Sequence, residues 1–231
     1  GNMFFLTLNL LQVQGFTAFA AGLAMLPITT SIFILSTPMG RLTDRWGARP
    51  LLNTGIVVTL VSFLMFARLG LEDNYWTSFF PATVVFGIGI GIIVVPMTIV
   101  LLEALPSRFS GIASGSNYAA TRIGNMLAIA IFGAVMLFMF QTSLSDRIAE
   151  IPLDSTSRTE LLHESRNLGA TAPPTTTAPE LVEATTTAIK LAFVDSFQAV
   201  MYVCAGLMGL SLLITLFFIP GRAKKAMTEL S

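Results

Sequence analysis

The sequence predicts an all-α integral membrane fold of six helices, the first of them truncated. Three observations carry this. Hydrophobic residues make up 54% of the 231 and charged residues 11%, and mean hydropathy is +0.76, so the chain lacks the ionic surface of a water-soluble globule. Apolar runs of roughly 20 residues recur between charges, Gly or Pro, the length a helix needs to cross a bilayer core of about 30 Å. These runs are too long and too uniform for the alternating segments of about ten residues that build a closed barrel, the other way to satisfy every backbone group in lipid.

In chain order the runs are 2–13, 16–39, 50–69, 77–102, 112–140 and 193–219. The first is short, and Gly1-Asn2-Met3-Phe4 opens directly on apolar residues without a basic segment or cleavage site, so it reads as the end of a helix begun upstream. The expected organisation is helices one to five over 1–140, a polar loop over 141–192, the last span over 193–220 and a tail over 221–231.

Charge placement sets orientation. Arg41, Arg45, Arg49, Arg108, Arg222, Lys224 and Lys225 share one side, which the excess of basic residues marks as cytoplasmic together with the C-terminus. The opposite loop carries Glu72 and Asp73, with Tyr75 and Trp76 where an interfacial aromatic belt lies. Helix parity puts 141–192 outside the cytoplasm. Its second half, Ala170 to Thr187, is rich in Pro and Thr, cannot bury a core and reads as a solvated connector, while 144–168 suits a short surface helix.

Several functions are excluded by what the chain contains. Zero formal net charge with scattered basic residues gives nucleic acid no footprint. One cysteine, Cys204, inside an apolar run and one histidine, His163, in a polar stretch assemble neither a disulfide framework nor a Cys/His metal centre, so no cofactor and no enzyme chemistry is expected. Gly87, Gly89 and Gly91 lie within a span, not between a strand and a helix, which favours close helix packing over dinucleotide binding; Gly111 and Gly115 read the same way.

The most specific local pattern is Gly40-Arg41-Leu42-Thr43-Asp44-Arg45-Trp46-Gly47-Ala48-Arg49. It resembles the G-x-x-x-D-R-x-G-[RK]-[RK] signature that major facilitator superfamily transporters carry between the second and third helices of each half. Gly40, Asp44, Arg45, Gly47 and Arg49 match, and Ala48 departs. Leu11-Gln12, Gly15-Phe16 and Ala21-Gly22-Leu23-Ala24-Met25-Leu26-Pro27 are similar to a stretch of the fourteen-helix drug:proton antiporters, as is the helix carrying Gly111, Ala113, Ser114, Gly115, Asn117, Arg122 and Gly124. The resemblance covers essentially the whole chain and implies the six-helix C-terminal bundle of that fold.

Three groups of residues could carry function. Asp44 can cap the following helix or pair with Arg45 and Arg49, holding helices together in one conformational state; a purely topogenic basic loop is the plainer reading. Ser110, Ser114, Asn117, Thr121 and Asn125 recur at steps of three and four, which lines them on one helical face with Arg122 at its flank. A polar face inside lipid must look at protein or water, and an Arg at the centre of a span is unfavourable by about 2.5–3.5 kcal/mol on insertion scales. Arg122 can bind anionic groups, tune a carboxylate or anchor neighbouring helices. Asp195, near the start of the last span, can carry a proton or act as an N-cap.

The resemblance then implies alternating access by rocking of two bundles, with protons moving inward as amphipathic compounds move out. It makes the partners the lipid bilayer, a small-molecule substrate, protons and the N-terminal half of the same chain, in the inner cell membrane. A symporter or facilitator for a sugar or metabolite keeps the same fold, and a non-transporting scaffold or sensor is a further alternative.

Overall fold

The computed structural model describes residues 2–71, 74–103, 110–174 and 177–218, and regular structure among them is helical throughout. The α-helices are α1 (Asn2–Gln12), α2 (Ala18–Ala24), α3 (Leu26–Trp46), α4 (Ala48–Phe66), α5 (Phe80–Glu103), α6 (Ser110–Ala149), α7 (Ser155–Glu164) and α8 (Val182–Phe218). One π-helical turn, Tyr75–Phe79, leads into α5. Five stretches are long and apolar enough to cross a membrane: Ala18–Trp46, Ala48–Phe66, Tyr75–Val100, Ser114–Ala149 and Pro179–Phe217. Of the expected cytoplasmic charges, Arg108, Arg222, Lys224 and Lys225 lie outside the described residues, as do Glu72, Asp73 and the 221–231 tail.

The helix ends differ from the expected ones for local reasons. The second span breaks at Met25, because Pro27 has no N–H to continue the ladder, and resumes as α3 up to Trp46. There Gly47, at a positive φ of 83°, turns the chain and returns its N–H to the Thr43 carbonyl at 2.8 Å. The signature segment is therefore the last two turns of α3 and a single-residue turn, not an open loop. The boundaries placed at 141 and 192 fall inside α6 and α8. Helix α8 begins early behind a Pro179–Leu181 turn, where Thr185 and Thr186 return their hydroxyls to the Leu181 and Val182 carbonyls at 2.8 Å, so these threonines are helical and not part of a connector.

The chain divides into two compact units. One contains 23–66, 74–123 and 202–231. Here α5 packs against α3 and α4, and its glycines decide how closely. A Cβ on Gly87 would stand 2.9 Å from Ile28 Cα, one on Gly91 3.3 Å from Ile32 Cα, and one on Gly89 would overlap Thr59 on the opposite side. A Cβ on Gly55 of α4 would in turn meet the Gly89 carbonyl at 3.0 Å. By contrast, Gly111 and Gly115 have no atom within 4 Å of such a Cβ, so the close packing expected of them is not present among the described residues. Phe63, Phe66, Phe79 and Phe86 fill the membrane-buried interior of this unit edge to face, their centroids 5.5 to 6.3 Å apart.

Backbone groups freed at helix ends find side-chain partners. The Tyr75 hydroxyl donates to the Ala24 carbonyl at 3.1 Å, directly at the break between α2 and α3. The Arg49 guanidinium donates to the Leu216 carbonyl in the last turn of α8.

The other unit contains 1–22, 67–73 and 124–201. Phe5, Leu6 and Leu10 of α1, Met136, Phe140, Leu144 and Ile148 of α6, and Phe193, Phe197, Val200 and Met201 of α8 form its buried set, with Phe140 edge-on to Phe193 and Phe5 to Phe132. The Gln198 amide donates to the Leu69 carbonyl at 2.8 Å. Arg158 of α7 donates to the Ile148 and Ile151 carbonyls, which closes the end of α6, and Leu161 is fully buried. Asp154 caps α7 by accepting from the Thr156 and Ser157 amides; the Ser157 hydroxyl is the main cause that holds its pKa below the ordinary carboxylate range.

Gly89→Ala should lower stability by about 1–3 kcal/mol through overpacking against Thr59. A drop in the thermal midpoint in detergent checks it against Gly22→Ala, whose added Cβ meets nothing within 4 Å. Because the Asp154 pKa is depressed, its cap contributes above the unfolded value of about 3.9 and is lost as pH falls through the lower folded value. Near neutral pH, Asp154→Ala should therefore accelerate amide exchange at Thr156 and Ser157, whereas wild type should retain that protection until strongly acid pH.

Candidate functional site

The signature residues occupy the α3–α4 corner. Arg41 and Asp44 are neighbours at a spacing of three on the last turns of α3, and with Arg45 both are exposed. Pro38, Arg41, Leu42, Asp44 and Arg45 line a shallow depression of about 460 Å³. Asp44 does not cap the following helix, because the chain turns only at Gly47, and so its carboxylate sits within α3. A negative charge in the last turn of a helix opposes the helix dipole, and Arg45 beside it complies with the dipole. Asp44 is thus in a locally unfavourable place that contact with another element would relieve. Gly40 needs no special room here, since a Cβ would meet Val95 at an ordinary 3.9 Å, whereas Gly47 is required by its φ. Arg49, in the first turn of α4, is committed to the Leu216 carbonyl, a partner 167 residues away that no spacing in the sequence announces.

The polar face of α6 is present as spaced. Ser114, Thr121, Arg122 and Asn125 are exposed and Asn117 is half-buried. From Ser114 to Asn125 the stripe is about 16 Å long at 1.5 Å per residue, roughly half a bilayer core. Tyr118 belongs to the same face and was not singled out by residue type, although its spacing of four from both Ser114 and Arg122 signals it. The Arg122 Nη2 donates to the Tyr118 hydroxyl at 2.6 Å, and its guanidinium carbon lies 4.9 Å from the ring centroid. Arg122 is thus braced along its own helix by a neighbour one turn away.

Asp195 is not an N-cap. Helix α8 begins at Val182, so Asp195 stands more than three turns inside it. One of its oxygens, Oδ2, accepts from Ser143 Oγ at 2.6 Å and from Arg147 at 2.8 Å through Nη2 and 3.2 Å through Nε. The Arg147 Nε also reaches Ser143 Oγ at 3.3 Å. Two helices are therefore joined by a charged pair whose side chains are 35% and 42% exposed, enough to screen it substantially. Beside the pair lies an open pocket of about 520 Å³ that includes Glu150, Glu180 and Glu183. Sequence reading gave no role to this segment; the one available signal was the spacing of four between Ser143 and Arg147.

The family model described as Major Facilitator Superfamily matches residues 1–145. The multidrug resistance protein Stp of Mycobacterium tuberculosis is 28% identical over 169 residues, which cover 71% of this chain and 31% of Stp. The tetracenomycin C resistance and export protein of Streptomyces glaucescens is 26% identical over 182 residues, 78% of this chain and 33% of that protein. The methylenomycin A resistance protein of Bacillus subtilis is 29% identical over 137 residues, 59% of this chain and 29% of the relative. The chain thus spans about a third of the length of the curated relatives it matches.

Arg147→Ala and Asp195→Asn should each destabilise the protein in detergent, and a double-mutant cycle should give a coupling energy of about 0.5–1 kcal/mol, the range of a partly exposed pair. Additive effects within error would show that the pair carries no net stabilisation.

Proposed function

The chain belongs to the Major Facilitator Superfamily, and on that premise we propose that it is the C-terminal half of a secondary transporter that exports small amphipathic compounds in exchange for protons. The observation that carries this reading is the exposed polar face of α6, where Ser114, Asn117, Thr121, Arg122 and Asn125 would be untenable against lipid and suit a water-filled cavity. The names of the relatives, resistance and export proteins, support outward movement of drug-like compounds.

In this reading the cavity is closed by the N-terminal half of the same chain, and the two halves rock about it. The α3–α4 corner, with Gly40, Asp44, Arg45, Gly47 and Arg49, is the cytoplasmic gate. Asp44, poorly placed at the end of α3, takes a cationic partner in one state and releases it in the other. Asp195 is the acid of this chain through which a proton acts, since protonation removes the charge that holds Arg147. The protein sits in the inner cell membrane with the Arg41–Arg49 corner and the C-terminus in the cytoplasm, as the excess of basic residues there supports. The acidic pocket at Glu150, Glu180 and Glu183 then faces outward.

Full-length protein reconstituted in proteoliposomes tests the proposal. Substrate flux should appear under an imposed pH gradient, with proton movement in the opposite direction; flux with protons in the same direction, or indifferent to pH, assigns a symporter or facilitator instead. Arg122→Ala should abolish flux while the protein still inserts, and Asp44→Asn should slow it by about tenfold, equivalent to losing about 1.4 kcal/mol at the rate-limiting rearrangement. Wild-type flux in either variant counts against the role given to that residue.

A further inference from the structure

The charge on the α6 face decides which compounds it can accept, an argument that rests on the cavity reading above. Between Ser110 and Ser145 the helix carries one charged residue, Arg122. Its recorded partner is the Tyr118 hydroxyl, a neutral group on the same helix, and among the described residues no carboxylate lies within ion-pair distance of it. The guanidinium has five N–H donors in a planar fork, and Tyr118 engages one edge of it, fixing the fork in place. The groups that share the stripe, Ser114, Asn117 and Thr121, are uncharged and hydrogen-bonding.

We propose that Arg122, braced by Tyr118, receives the carboxylate, phenolate or sulfonate of an amphipathic aromatic compound, so that this cavity prefers organic anions over organic cations of the same shape. The charge arithmetic favours it. A fixed positive charge attracts an anion and repels a cation of the same shape, and the planar fork matches the two oxygens of a carboxylate. The Tyr118 ring, 62% exposed, offers an apolar surface beside that charge for the aromatic body of the ligand.

Two xanthene dyes of similar shape and opposite charge, anionic fluorescein and cationic rhodamine 6G, test this by fluorescence anisotropy on the full-length protein in uncharged detergent. Wild type should bind fluorescein more tightly. Arg122→Gln should weaken fluorescein by about tenfold and leave rhodamine 6G unchanged or tighter, Arg122→Lys should retain most of the preference, and Tyr118→Phe should weaken fluorescein less than Arg122→Gln does. Equal loss of both dyes would mean a structural role for Arg122, and tighter binding of the cation by wild type would overturn the proposal. If Arg122→Gln fails to fold, Ser114→Asp provides an independent arm: with Arg122 in place, a negative charge on the same face should move the preference towards rhodamine 6G, and no shift overturns the idea. Binding in detergent needs no proton gradient, so charge-selective binding without any flux in proteoliposomes would sink the transport reading and leave this inference standing, whereas flux without charge selectivity would do the reverse.

Discussion

Inside hydrocarbon a backbone carbonyl or amide that leaves its helix has no water to bond, and each such group must be met by the protein itself. The helices of this chain are interrupted or ended at several points, and at those points a side chain takes the freed group. The Tyr75 hydroxyl meets the Ala24 carbonyl beside the Pro27 break, Arg49 meets Leu216 at the end of α8, and Gln198 meets Leu69 after α4. Arg158 serves the last turn of α6 in the same way. The Tyr75, Arg49 and Gln198 bonds also join segments distant in sequence, so satisfying the backbone and fixing the tertiary arrangement are one event.

Packing completes what those bonds begin. Alternate glycines on α5 lay its backbone against α3 on one side and α4 on the other, leaving no room for a methyl group at Gly89. The glycines of α6 are of another kind, since among the described residues nothing stands within 4 Å of a Cβ at Gly111, Gly115 or Gly124. The contrast separates a closely packed part of one unit from a helix face of hydroxyls, amides and a guanidinium that stands exposed among the described residues. Polar groups on such a face gain by contact with water or ligand, so α6 suits a polar cavity better than the more closely packed α5 does.

The gate reading depends on a different kind of imbalance. In α3 the turn is delayed until Gly47, which leaves Asp44 inside the helix, near carbonyls that a carboxylate would avoid. A group placed at a local disadvantage lowers the free-energy difference between two arrangements of the segment around it, and a conformational switch needs that difference to be small. The Arg147–Asp195 pair has the complementary property, since it holds α6 to α8.

Hydropathy and helical spacing were enough to identify the class of fold and the stripe on α6, because these are recorded in runs of about twenty residues or in steps of three or four, whereas the α3–α4 corner was singled out by its resemblance to a family signature. The same information misplaced the ends of α6 and α8, since Thr185 and Thr186 look like part of a linker until their hydroxyls are seen bonded one turn back. It also left a helix cap open for Asp195, which the start of α8 at Val182 excludes, and overlooked Tyr118. Partners were beyond it altogether: Arg49 with Leu216, Arg147 with Asp195 and Tyr75 with Ala24 are pairs whose meeting depends on how distant stretches are brought within about 3 Å. Local periodicity fixes which way a side chain faces along its own helix, and only the tertiary fold decides what stands opposite.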